Sequence, residues 1–241
     1  MIKITPLASS SAGNAYHITD GETALLLDAG LSFKEIQKGV NFKVSELEGC
    51  LITHNHIDHV KGLKELANKG VEVYLSQGTS DALDYAHHRF NITGSFQEFK
   101  IGSWVIIPFD VQHDVDEPLG YLLINKLGET LLFATDTYYI KYKFSGITHM
   151  LIECNYSELI VKRQIELASD LDDSKNLVSR YKRLLKSHFS LENMIDFLRA
   201  NDLSKLKEVW LIHLSDSNSD EALFKQEIQK LTGVPVYVAD K

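Results

Sequence analysis

Short apolar runs separated by polar turns recur along the chain. Ala24 to Leu27, Trp104 to Ile107, Tyr121 to Ile124, Leu131 to Ala134 and Val209 to Leu214 have the length and composition of buried strands. Between them, Phe33 to Val40, His59 to Asn68, Thr79 to His88, Ser190 to Ala200 and Asp220 to Leu231 carry apolar residues at helical spacing. The pattern predicts an α/β fold with internal sheets and outer helices. The segment from Glu158 to Lys186 is helix-compatible but is interrupted by Asp170, Asp172 and Asp173. No low-complexity tract, short repeat or Pro/Gly-rich linker marks a boundary, so residues 1–241 are expected to form one domain.

The densest chemistry follows the apolar stretch Cys50-Leu51-Ile52. There, Thr53-His54-Asn55-His56-Ile57-Asp58-His59 packs three imidazoles and a carboxylate into six positions. In an extended segment leaving a strand, His54 and His56 point to one side and can reach one cation. Asp58 and His59 fall where the chain turns into a helix and face a neighbouring point, so two adjacent cations are expected. Taken singly, Asp58 also reads as a helix cap and the histidines as polar loop residues; their joint placement favours ligands. Further ligands are expected at strand ends, where His113, Asp136 and His213 stand. Each of those has an ordinary alternative: a surface histidine, a turn aspartate and a half-buried histidine.

Composition narrows the picture. The formal charge of −8 argues against indiscriminate nucleic-acid binding, which needs clustered cations. One local exception holds Lys175, Arg180, Lys182, Arg183 and Lys186 without an acid; it reads equally as an anion-facing patch or a solvated helix face. Cys50 and Cys154 lack CxxC spacing, so no disulfide framework or thiolate site is expected, and a reducing cytoplasm fits. Neither a secretory signal nor a membrane span is legible. Nitrogen and carboxylate ligands without thiolate suit Zn²⁺, with Mn²⁺ or iron as alternatives. His17, His87, His88 and His149 are read as structural.

The His54, His56, Asp58, His59 spacing resembles the HxHxDH motif of the metallo-β-lactamase superfamily, and the later ligands follow in its order. The resemblance implies an αββα sandwich in which His54, His56 and His113 hold one metal, Asp58, His59 and His213 the other, and Asp136 bridges both. Asp28 matches an aspartate that orients a ligand from behind. The loop Ser9-Ser10-Ser11-Ala12-Gly13-Asn14 is similar to that of the tRNase Z-like and YycJ-type phosphodiesterases, which implies substrate contacts for Ser11 and Asn14. Ala12 departs from their serine-glycine pattern. Ser187-His188-Phe189-Ser190 resembles the segment carrying their proton-donating histidine, whereas a long clamp arm for tRNA is missing.

These features imply a two-metal phosphodiesterase. Paired cations lower the pKa of water toward ~7 and supply a shared hydroxide for in-line attack on phosphorus. Asp58 is the expected proton acceptor, and His188 donates to the leaving oxygen. Small phosphodiesters such as cyclic nucleotides are the first expectation, from the acidic charge and the missing arm. The resemblance extends to phage anti-Pycsar phosphodiesterases and hence to immune evasion. A YycJ-type single-strand 5′-exonuclease is the alternative, supported by the local cationic patch. Thioester or lactone hydrolysis and a metal-stabilised binding module rank lower. Pairing as a homodimer is implied by the resemblance alone.

Overall fold

The computed structural model describes residues 1–167 and 174–239. Asp170, Asp172 and Asp173 lie outside the described residues, as do the side chains of Lys175 and Arg180.

Two sheets carry the strands. In the first, β1 (Lys3–Ser10), β2 (Gly13–Thr19), β3 (Ala24–Leu27), β4 (Leu47–Leu51), β5 (Val73–Leu75) and β6 (Phe90–Ile92) lie side by side in that order, antiparallel as far as β3 and parallel beyond it. In the second, β7 (Phe99–Ile101), β8 (Trp104–Asp110), β9 (Leu119–Ile124) and β10 (Thr130–Ala134) are antiparallel neighbours. The parallel strands β11 (His149–Glu153), β12 (Glu208–Ile212) and β13 (Val236–Val238) continue that sheet.

Alternate residues of single strands feed different cores. Leu25 and Leu27 enter the core between the sheets, with Tyr16, Trp104, Tyr121, Leu131 and Phe133. Leu26 points the other way, onto Ile36 of α1 (Phe33–Gly39), Val60 of α2 (Ile57–Val60) and Leu63 and Leu66 of α3 (Leu63–Asn68). Leu132, Met150 and Leu211 face outward from the second sheet, onto Met194 and Phe197 of α7 (Leu191–Ala200) and Phe224 and Ile228 of α8 (Glu221–Thr232). Helix, sheet, sheet and helix thus stack as four layers, because strands covered on both faces need apolar residues at every position. The remaining helices are α4 (Gln77–Ala82), α5 (Glu158–Leu167) and α6 (Ser174–Ser187). No helix among the described residues is long and apolar enough to cross a membrane.

Two expected helices differ. The helix expected over His59 to Asn68 is two short ones, α2 and α3, because Gly62 N donates to Ala29 O at 2.8 Å instead of continuing the helix. A Cβ at Gly62 would stand 2.4 Å from Leu31 O, so the two segments pass closer than a side chain permits. The helix expected over Thr79 to His88 starts earlier and ends at Ala82, as α4. Residues 83–88 turn away, bringing Tyr85 to 5.8 Å from Phe90 and 4.9 Å from Lys64 Nζ.

Candidate metal centre

Strand ends supply the site. Asp28 follows β3, Thr53 and His54 follow β4, Asp136 follows β10, Glu153 ends β11 and His213 follows β12. Hydrogen bonds to Thr53 fix the first sheet's contribution. Its backbone N–H donates to Asp28 Oδ1 at 2.9 Å and its hydroxyl to Asp28 at 3.0 Å, which leaves that hydroxyl oxygen to accept from His54 Nδ1 at 3.0 Å. His59 Nδ1 donates to Asp28 Oδ2 at 2.8 Å. With Nδ1 of both rings committed as a donor, each presents the lone pair of Nε2.

The second sheet repeats the arrangement. Buried Glu153 accepts from His213 Nδ1 at 3.1 Å and from His188 Nδ1 at 2.7 Å, while its other oxygen accepts the backbone N–H groups of Thr137 and Phe189 at 3.1 Å each. Ser9 and Tyr16 join the two sheets: His213 N donates to Ser9 Oγ at 2.8 Å, Ser9 Oγ lies 2.9 Å from Tyr16 Oη, and Tyr16 donates to Asn14 Oδ1 at 3.2 Å. Asn14 Nδ2 then faces Asp58 Oδ2 at 3.3 Å and His59 Nε2 at 3.1 Å.

The free nitrogens and carboxylates converge as two separate groups, His54, His56 and His113 in one and Asp58, His59, Asp136 and His213 in the other; Asp136 and His213 also close on Glu153 and His188 in a third that overlaps the second. His56 Nδ1 lies 3.1 Å from His54 Nε2 and 3.3 Å from His113 Nε2. Asp136 Oδ2 stands between the groups, 2.5 Å from His59 Nε2 and 3.6 Å from His54 Nε2.

A divalent cation fits this frame. His213 Nε2 and Asp136 Oδ1 are buried without a hydrogen-bond partner. The ion pairs formed by Asp28, Asp58, Asp136 and Glu153 among the described residues are all with histidines, so four carboxylates share one pocket without a lysine or arginine partner. Buried charge is costly unless it is balanced; protonated histidines can balance these carboxylates, and a bound divalent cation supplies the same compensation.

The two groups differ in charge. Burial, reinforced by neighbouring His59, holds His54 well below the usual imidazole range, and burial also lowers His113, so both stay neutral. Burial opposes charge on His213 and His188 as well. There, however, Asp136 and Glu153 outweigh it and push His213 up to about 9 and His188 up to about 11. Burial likewise works against ionisation of Asp136 and Asp58, but histidine partners overcome it and hold both carboxyls below their usual range.

Of the remaining expected site residues, Ser11 lies exposed in the β1–β2 turn and borders a cavity that reaches His188 and His213. Arg183 and Lys186 border the same cavity. His149 is buried against Thr148 Oγ1, and His87 and His88 stack on each other at 4.4 Å; neither these nor His17 joins the two groups.

Glu153 was not singled out from the sequence. Its signal is the apolar run Met150-Leu151-Ile152 ending in a carboxylate, the same form that marks Asp28 after Leu25-Leu26-Leu27. Asn155, whose Nδ2 donates to His213 O at 2.7 Å, carries no comparable signal.

Residues 23–214, which include Asp28, both ligand groups, Glu153 and His188, match the β-lactamase superfamily domain. The chain belongs to the β-lactamase superfamily. Within it, the chain is 29% identical to exodeoxyribonuclease WalJ of Streptococcus pneumoniae serotype 2 (strain D39 / NCTC 7466) over 239 residues, covering 92% of this chain and 84% of that protein. It is also 29% identical to exodeoxyribonuclease YycJ of Bacillus anthracis over 236 residues, covering 84% and 88%. Among solved structures, the metallo-β-lactamase fold protein YhfI from Bacillus subtilis superposes with a TM-score of 0.70 over 100% of this chain and 97% of that one, at 15% identity. The four-layer arrangement is the metallo-β-lactamase fold, and the two sequence relatives in this superfamily are hydrolases.

Proposed function

We propose that this chain is a two-metal phosphodiesterase that removes nucleotides from an end of DNA. The carrying observation is that a nitrogen and carboxylate cluster able to hold metal ions stands in a chain alike, over 92% of its length, to an exodeoxyribonuclease. This reverses the order of expectations drawn from composition. Net charge averages over the whole surface, whereas strand binding is local, and Arg183 and Lys186 border the cavity beside the cluster. Hydrolysis of cyclic nucleotides, with the immune-evasion role attached to it, is the second reading, favoured by the formal charge of −8.

In this reading, His54, His56 and His113 hold one ion, Asp58, His59 and His213 the other, and Asp136 lies between them. Zinc is the first choice for this donor set, with manganese or iron as alternatives. Bound cations supply Lewis-acid charge and acidify water. Asp58 accepts the proton of the attacking water. His188, with Nδ1 committed to Glu153, presents Nε2 to the leaving oxygen, and exposed Ser11 contacts substrate, whereas the expected contact of Asn14 gives way to a positioning role because its buried side chain is committed to Tyr16, Asp58 and His59. Asp28 orients His59 through Nδ1. The protein acts as one domain in the cytoplasm and as a homodimer.

The test is metal-supplemented hydrolysis of 5′-phosphorylated single-stranded DNA and of cyclic mononucleotides at two salt concentrations, with His59→Ala as control. Salt-sensitive shortening of DNA that disappears in the variant is expected. Variant-sensitive cleavage of cyclic nucleotides alone would promote the second reading.

A further inference from the structure

The cavity beside His188 measures about 720 Å³ and lies between the α5–α6 pair and the opposing β1–β2 turn and 214–218 loop. That volume is within the roughly 300–1,000 Å³ of sites that enclose a small ligand. Its walls are tied together: Gln164 Nε2 of α5 donates to Ser217 O at 2.6 Å, and Ser157 N donates to Asn218 O at 3.0 Å.

Asp114 and Asp216 stand in the lining, and the rest of it divides chemically in three. Val161, Ile165 and Leu184 form an apolar stretch, with Tyr181 held edge-on to buried Tyr156 at 6.3 Å. Ser10, Ser11 and Asn218 offer hydroxyls and an amide opposite, and Arg183 and Lys186 bring positive charge. An apolar and aromatic wall, neutral hydrogen-bonding groups and exposed cations match a base, a sugar and a phosphate. Of the two clustered ligand groups, only His213 lines this cavity, and His188 lines it as well.

We infer that this cavity seats the terminal nucleotide of the strand, as the fragment that leaves. The inference rests on the nuclease reading. His188 protonates the leaving oxygen, so whatever occupies the space next to it is the departing fragment. A space of this volume beside His188 has room for the short fragment cut from an end. When the retained strand keeps the phosphate, the P–O3′ bond breaks and the oxygen of water joins phosphorus. O3′ takes a proton from His188, and the proton given up by water balances it. The departing fragment then carries O3′ at His188 and the 5′ terminus away from it. Arg183 and Lys186 border the same cavity as His188 and bring positive charge to it. The terminal 5′-phosphate therefore meets Arg183 and Lys186.

The test uses deoxyadenosine 5′-monophosphate as the probe, titrated calorimetrically into metal-loaded protein, alongside KM for strands bearing a 5′-phosphate or a 5′-hydroxyl. Tyr181→Ala and the double substitution Arg183→Ala/Lys186→Ala should each weaken the monophosphate at least tenfold. The double substitution should raise KM for the 5′-phosphorylated strand by a similar factor and leave KM for the 5′-hydroxyl strand unchanged, with Lys225→Ala on α8 as the charge control. Mononucleotides should be the first product. Wild-type affinity and KM in both variants would overturn the seat while leaving the nuclease reading intact. No His59-dependent cleavage of DNA by the wild type would overturn that reading itself.

Discussion

At Asp28, Asp136 and His213 the backbone adopts φ of 57°, 46° and 55°, the left-handed region. Such a conformation costs a non-glycine residue on the order of 1–3 kcal/mol and persists where surrounding bonds enforce it. Here those bonds are visible: Thr53 grips Asp28, His59 meets Asp136, and Ser9 and Asn155 hold the His213 backbone. Asp28 acts on a cation only through His59, and its substitution separates charge from shape. In Asp28→Asn the amide oxygen can take the place of Oδ1 and still accept from Thr53 N, so the fold should remain, while the amide NH2 faces His59 Nδ1 and that bond is lost. Metal affinity should fall about 10- to 100-fold as the ring loses its carboxylate, measured by competition with a chelating dye. Unchanged affinity would show that Thr53 and Asn14 suffice to orient His59.

Elements meet most tightly where the segment after β3 passes α2. A Cβ at Gly30 would stand 1.6 Å from Asp58 O, a backbone atom with no flexible end to yield. Gly30→Ala should therefore push the Asp58 segment away, cost about 3 kcal/mol or more and lower metal affinity together with stability; urea denaturation and metal titration check the pair. The same closeness explains what was legible in the sequence. The His54 to His59 cluster and the strand-end ligands could be read because their order is local or follows apolar runs. The strands β5, β6, β7 and β13 are not legible because three residues carry no period, and β1 escapes the pattern because only two of its eight residues are buried. The break between α2 and α3 was hidden because it depends on Ala29 and Leu31, distant in sequence from Gly62. Glu153 follows an apolar run as the strand-end ligands do, but its role depends on His188 and His213, which come from two separate later segments.

Across the whole molecule, one carboxylate joins the entry to β1, the β9–β10 turn and the entry to β12. Glu129 accepts from Ile2 N at 3.0 Å, Asn125 Nδ2 at 3.0 Å and Lys207 Nζ at 2.6 Å. Burial opposes its ionisation, but these donors outweigh burial and hold the carboxyl down at about 2. Because that lies below the value for an unfolded glutamate, near ~4.3, ionised Glu129 stabilises the fold above that pH. The contribution fades as pH falls toward 2. Glu129→Gln should lower the Tm at pH 7, and the gap to the wild type should close on acidification; a gap independent of pH would contradict this account.

The cluster draws His54, His56, Asp58 and His59 from the end of the first sheet and His113, Asp136 and His213 from the second. A cation held by both is a clasp that exists only while the sheets stay together, so its binding energy is also energy of assembly. At a free metal concentration 100 times Kd, linkage adds about 2.7 kcal/mol. For a chain of this size that corresponds to roughly 5–10 °C in Tm. Chelation should remove this increment, and restored metal should return it, even in a His188→Ala variant that no longer turns over.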